Sequence, residues 1–162
     1  MKIIAHRGNM SGPKPDLENC PAHIEKIINY FDAEIDVRVV NSKIWLGHDV
    51  GQYDVSLDWI LKYRRRLWIH CKNLEAMKYF NSIRNRGIIY FGHSEDLYVL
   101  ASNSYIITIK NDVFDKKSII VMPEYFNTIY NIRLVGGVIT DYPLDIRSQL
   151  VSETDSLKFG IP

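Results

Sequence analysis

The chain has 162 residues, with 20 Lys+Arg against 19 Asp+Glu and two cysteines. Its length suits one domain around a single core. The near-balanced charge leaves no overall basic footprint for DNA or RNA. Two cysteines are too few for a disulfide framework, so a reducing, cytoplasmic setting with no nucleic-acid partner is expected. Only a short apolar stretch precedes His6 and Arg7, too short for a secretory leader. No run approaches the ~20 apolar residues that span a bilayer, so secretion and stable membrane insertion are not expected.

Short apolar runs, often β-branched, recur along the chain and predict strands over 2–5, 34–40, 43–46, 67–71, 88–91, 105–109, 118–122 and 137–140. Between some of them the apolar residues fall at helical spacing. This predicts helices over 22–31, 74–84, 125–134 and 145–151. Residues 9–16, with Gly12-Pro13 and Pro15, read as a loop. Tyr53 and Trp59 read as aromatic loop residues, and 152–162 as a polar tail after a single domain over 1–151. Strands alternating with helices predict an α/β fold with a largely parallel sheet, and strands buried on both faces account for the near-continuous apolar runs.

Ionisable residues collect where the runs end: His6-Arg7, His48-Asp49, His70 and Lys72, His93, Glu124 and Asp141. In parallel α/β proteins the chemistry sits at the carboxyl ends of the strands, so the pattern fits a (β/α) barrel with a reactive rim. A full barrel of eight helices usually needs about 200 residues or more. The expectation is therefore a compact barrel with several helices reduced or missing.

Glu34-Ile35-Asp36 carries two carboxylates at strand spacing, hence on one face. Buried carboxylates are costly unless paired, and a divalent cation is one way to hold them; a half-exposed strand with its charges in water is the plainer reading. His6 and His48 titrate near neutrality and are suited to move protons. Arg7 offers a bidentate clamp for phosphate. His70 and Lys72 share a strand face. There His70 can complete a metal shell with Glu34 and Asp36, while Lys72 meets a phosphate oxygen. Cys71 then faces the helices as a packing residue. His23 reads as a structural histidine, and Arg64-Arg65-Arg66 as a solvated surface run.

At this point the motifs resemble the glycerophosphodiester phosphodiesterase family. His6-Arg7-Gly8 is similar to its opening, Glu18-Asn19-Cys20 to its Glu-Asn-Thr segment, and Glu34-Ile35-Asp36-Val37 to its Glu-x-Asp strand. Gly47-His48-Asp49 is similar to its second-histidine motif and Thr140-Asp141-Tyr142-Pro143 to its closing strand. The resemblance runs in order from residue 6 to residue 143. It implies a TIM-type barrel that hydrolyses a small-molecule phosphodiester with one divalent cation. His6 and His48 are then acid and base in an unassigned order, Arg7 and Lys72 bind phosphate, and Glu34 and Asp36 bind the metal.

Where the family usually has a third acidic ligand this chain has His70. That change extends the expected cation from Mg, Ca or Mn to Zn. Glu18, His93, Glu124 and Asp141 are further rim candidates. Two alternatives stand beside hydrolysis of a soluble diester: a phospholipase similar to sphingomyelinase D or the phosphatidylinositol-specific enzymes, and a barrel that binds a phosphate ester without turning it over.

Overall fold

A computed structural model of the chain describes residues 1–109, 115–125 and 129–158. The strands are β1 (Lys2–Ala5), β2 (Asp32–Val40), β3 (Lys43–Leu46), β4 (Tyr53–Val55), β5 (Leu67–Cys71), β6 (Ile89–Phe91), β7 (Tyr98–Leu100), β8 (Ile106–Thr108), β9 (Ser118–Val121) and β10 (Gly137–Thr140). The α-helices are α1 (Pro21–Ile27), α2 (Leu57–Tyr63), α3 (Leu74–Ser82) and α4 (Pro143–Lys158).

All ten strands belong to one sheet. A parallel series runs β6-β5-β2-β1-β10-β9-β8, while the β3–β4 hairpin and β7 join antiparallel. The α/β class and the largely parallel sheet are as expected. Closure into a barrel is not: among the described residues no ladder joins β6 to β7 or β8. The gap between those ends is spanned by Ser102. Its N–H donates to the Tyr90 carbonyl, and its Oγ accepts from the Tyr90 N–H (3.0 Å) and donates to the Ile88 carbonyl (3.1 Å).

The two faces of β2 show why the sheet forms where it does. Ala33, Ile35, Val37 and Val39 point to one side and pack with Leu67, Ile69, Cys71, Ala76 and Phe80 into the core under the helices. Asp32, Glu34 and Asp36 point to the other. On that inner side Ile4, Trp68, Phe91, Ile107, Ile119 and Ile139, from six different strands, form a second apolar cluster. Side chains from distant strands meet there, which requires the sheet to curl around its inner face. Trp68 is fully buried in this cluster, edge-on to Tyr105, and its Nε1 donates to Asp32 Oδ2 at 3.2 Å. Burying such side chains contributes roughly 2 kcal/mol each.

Several expected elements change. The helix expected over 125–134 is instead short 3-10 turns at Pro123–Tyr125 and Ile129–Leu134, with 126–128 outside the described residues. Tyr53 lies in β4 and Trp59 in α2, so neither is a loop residue. Ser56 caps α2 by accepting from the Trp59 N–H at 3.1 Å, which explains why that helix starts there. The tail expected from 152 is helical as far as Lys158, and 159–162 lie outside the described residues. No helix among the described residues is long and apolar enough to cross a membrane.

Gly8 closes the turn between β1 and the loop that follows. Its φ is +84°, and a Cβ there would lie 2.6 Å from Ile24 Cδ1 in the fully buried core. Left-handed backbone costs a non-glycine residue about 1–2 kcal/mol before the clash is counted. Gly8→Ala is therefore expected to destabilise the fold by about 2–3 kcal/mol. Chemical denaturation reads this directly, and an unchanged midpoint would contradict the packing described.

Candidate functional site at the carboxyl ends of the strands

The parallel register assembles the site. Asp36 on β2 pairs with His70 on β5, and Glu34 lies one inward position below. Paired positions in a parallel ladder point the same way, so both carboxylates and the imidazole meet on the inner face. His70 Nδ1 lies 3.3 Å from Asp36 Oδ1 and 3.6 Å from Glu34 Oε1. One donor atom from each of the three residues falls within 4.8 Å of the others. Glu34 and Asp36 are buried, and the His70 side chain is 12% exposed.

Arg7 and Lys72 bring positive charge to this cluster. Arg7 Nε lies 2.9 Å from Asp36 Oδ2, an ion contact, while Nη1 donates to Glu18 Oε2 at 3.0 Å. The Arg7 backbone N–H donates to Glu34 Oε2 at 3.1 Å from a left-handed residue, φ 50°. That conformation is costly outside glycine, and it aims the amide at the carboxylate. Lys72 Nζ is 3.8 Å from Asp36 Oδ1. Burial alone would raise the Asp36 pKa. The hydrogen bond from His70 and the charges of Arg7, His70 and Lys72 outweigh it and hold the carboxyl well below its usual range. Burial would lower the His70 pKa, but Asp36 and Glu34 raise it above the ordinary histidine value.

His6 follows directly on β1, and its Nδ1 donates to Asp141 Oδ1 at 2.8 Å. The same oxygen accepts from Asn9 Nδ2 at 2.8 Å, and Asn9 also donates to Glu18 Oε1 at 2.9 Å. Glu124 Oε1 accepts from the Asp141 N–H and from Thr140 Oγ1, both at 3.0 Å, and so fixes the strand end that carries Asp141. Burial pulls the His6 pKa down. The Asp141 hydrogen bond and the Glu34 and Asp141 charges more than offset it, and the net shift is upward. Replacing Asp141 by asparagine removes both Asp141 contributions. The His6 titration midpoint, read by NMR on the ring protons, is expected to drop in Asp141→Asn; a midpoint that stays put would remove Asp141 as the cause.

His48 sits on the turn after β3. Gly47 makes that turn possible: with φ +144°, a Cβ would fall 2.1 Å from the Val50 carbonyl oxygen. Arg38 Nη2 donates to the His48 carbonyl at 2.8 Å, and His48 Nδ1 donates to Asp49 Oδ1 at 2.7 Å. His93, after β6, stacks on His70 with ring centres 4.7 Å apart and 12° between planes. Burial, then the charges of His70 and Lys72, lower the His93 pKa.

One cavity of about 400 Å³ is lined by His6, Arg7, Glu34, His48, His70, Lys72 and His93. Most of the candidates read from the sequence therefore converge on it. Asp36 lies behind Arg7 and Lys72. Asp141 and Glu124 support His6 from outside the lining. Glu18 faces the other side of Arg7. Cys71 faces the helix core as expected, and burial pushes its thiol up to about 12.

Two asparagines were not among the candidates. Asn9 and Asn19 are both buried, and Asn19 bonds Asp36 twice, accepting from its N–H (2.8 Å) and donating to Oδ2 (3.2 Å). Their position beside His6-Arg7-Gly8 and Glu18 was the available signal, but local sequence does not say which loop polar groups turn inward.

Glu34, Asp36 and His70 fit a divalent cation by their chemistry and spacing. Separations of 3.3 and 3.6 Å are those of neighbouring donors each about 2.2 Å from one ion. The other ring nitrogen, His70 Nε2, is buried with no hydrogen-bond partner among the described residues. The site as a whole is a sheet-end cleft with three histidines, two cations and a carboxylate–imidazole triad. Comparison with protein-family models, with curated proteins and with solved structures gives no match to this chain.

Proposed function

We propose that the chain is a metal-dependent phosphodiesterase on a largely parallel α/β sheet, cleaving a small glycerophosphodiester-like substrate to an alcohol and a phosphomonoester. One observation carries the reading: His6, His48, Arg7 and Lys72 line a single cavity over the Glu34, Asp36 and His70 triad. Glu34, Asp36 and His70 would hold the cation, which when bound supplies Lewis-acid polarisation of the phosphoryl oxygens. Arg7 and Lys72 would bind the non-bridging oxygens and stabilise charge as it develops.

His6 suits the acid. Its Nδ1 is committed to Asp141, its proton is held more tightly than usual, and Nε2 is the position left to protonate the leaving alcohol. His48 would then take the proton from the attacking hydroxyl, whether water or a neighbouring hydroxyl of the substrate. The cytoplasmic setting belongs to the same proposal, with Cys20 and Cys71 both free thiols.

A second reading, an ester-binding domain without turnover, has one observation in its favour. Arg7, His70 and Lys72 all lie against Asp36, so the carboxylate that would hold the catalytic cation is already paired by side chains. Hydrolysis of a panel of glycerophosphodiesters with Mg, Ca, Mn, Zn or a chelator separates the two. Expected is turnover that the chelator abolishes, that Mn or Zn restores better than Mg or Ca because one donor is imidazole, and that the His6→Ala/His48→Ala double variant lacks. Folded protein with no turnover under any metal would leave the binding reading.

A further inference from the structure

We propose that the diester has two unlike alcohol arms, an apolar one and a hydroxyl-bearing one, seated on opposite sides of Arg7 and His48. This rests on the phosphodiesterase reading and adds the class of substrate. Arg7 and His48 line two separate spaces. The larger, about 400 Å³, is the cavity already described, and away from its charged groups its wall is Phe91, Ile109, Val121 and Ile139, with Ser94 the one neutral hydroxyl. The smaller, about 220 Å³, lies between the loop after β1 and the turn after β3; Glu18, Asn19, Asp49 and Gln52 line it with Pro15 and Val50.

A phosphate held by Arg7 and attacked or protonated beside His48 sits where the two spaces adjoin, so its two ester oxygens lead into different surroundings. The four apolar side chains stabilise a short alkyl or aryl group by removing it from water, and hydroxyls laid against them would lose their hydration. The smaller space is rich in acceptors: two carboxylates and an amide carbonyl. Its carboxylates already face cationic or protonatable groups, Glu18 on Arg7 at 3.0 Å and Asp49 on His48 at 2.7 Å. With the charge largely balanced, the fitting donors are neutral hydroxyls rather than an ammonium group.

The test uses full-length His6→Ala protein with Mn and three diesters: glyceryl phenyl phosphate, bis(glyceryl) phosphate and diphenyl phosphate, with binding followed by calorimetry. The mixed diester is expected to bind about tenfold tighter than either symmetrical one. Adding Gln52→Ala, at an exposed position, should weaken the two glyceryl diesters about fivefold and spare diphenyl phosphate. Adding Val121→Thr, of nearly equal volume, should weaken the two phenyl diesters and spare the bis(glyceryl) one. Circular dichroism melts verify that both proteins fold.

Equal affinity for all three diesters, or equal losses across them in both variants, overturns the two-arm assignment. Preferential binding of the mixed diester with no cleavage by the unaltered chain keeps the assignment and defeats the hydrolytic reading. Cleavage without preference does the reverse.

Discussion

His6→Ala is expected to lower diester turnover by about 10²–10⁴-fold while leaving the protein folded. The size follows from the role: removing a positioned acid returns the leaving alkoxide to protonation by water. The fold should tolerate the change, because the His6 side chain is partly exposed at 17% and lies outside the apolar clusters. Asp141 does lose its ring partner, but Asn9 still donates to it.

The pH profile carries the sign. A group that must be protonated to act loses activity as pH rises through its pKa. The upward shift on His6 therefore places its alkaline limb above the ordinary histidine value, and Asp141→Asn should move that limb to lower pH. A His6→Ala protein that keeps its rate, or a limb indifferent to Asp141, would assign the acid elsewhere.

Asp36→Asn should remove divalent-cation affinity by at least about 100-fold and destabilise the apo fold by about 3 kcal/mol. Asparagine keeps the shape but leaves Arg7, His70 and Lys72 facing a neutral amide in a buried place. Its amide also meets the Asn19 Nδ2 donor that served Oδ2. The partners keep 21%, 12% and 17% of their side chains exposed, so water relieves part of the cost.

The Asp36 pKa is depressed in the fold, so its stabilisation is fully present above the unfolded value of about 3.9 and is lost as pH falls through the folded one. The stability gap between the two proteins should accordingly be widest in mildly acidic solution, where Asp36 is ionised and His70 protonated, and narrow both in strong acid and as pH rises through the raised His70 value. Denaturant titrations at several pH values, with calorimetry of Mn binding, check both parts. Retained affinity in Asp36→Asn would take this carboxylate out of the cation site.

Much of this was legible in the chain itself. The inward set Glu34 and Asp36 against the outward set Ala33, Ile35, Val37 and Val39 is a period-two pattern, and it marks both the strand and its charged face. The same holds for Trp68, His70 and Lys72 against Leu67, Ile69 and Cys71. The ionisable residues after each run marked the reactive end of the sheet.

Short elements were harder. Three residues at Tyr53–Val55 and three at Tyr98–Leu100 carry too little periodicity to stand out. In α2, Leu57, Ile60 and Leu61 behind Ser56 did carry a helical signal, which the aromatic content of the segment obscured. The expected helix over 125–134 followed a real apolar spacing, yet the chain takes tighter turns at Pro123–Tyr125 and Ile129–Leu134.

What the sequence determined by itself is which residues share a face and which end of the strands is charged, because both follow from the local two-residue repeat. Tertiary structure alone decided who meets whom. Asp141 reaches His6 across 135 positions, and Arg7 spends its guanidinium on Asp36 and Glu18. His70 falls beside Asp36 through the register of β2 on β5, and β6 stays unpaired with β8 while Ser102 bridges the gap. Pairing and register depend on how separate segments pack, and a local repeat holds no information about its distant partner.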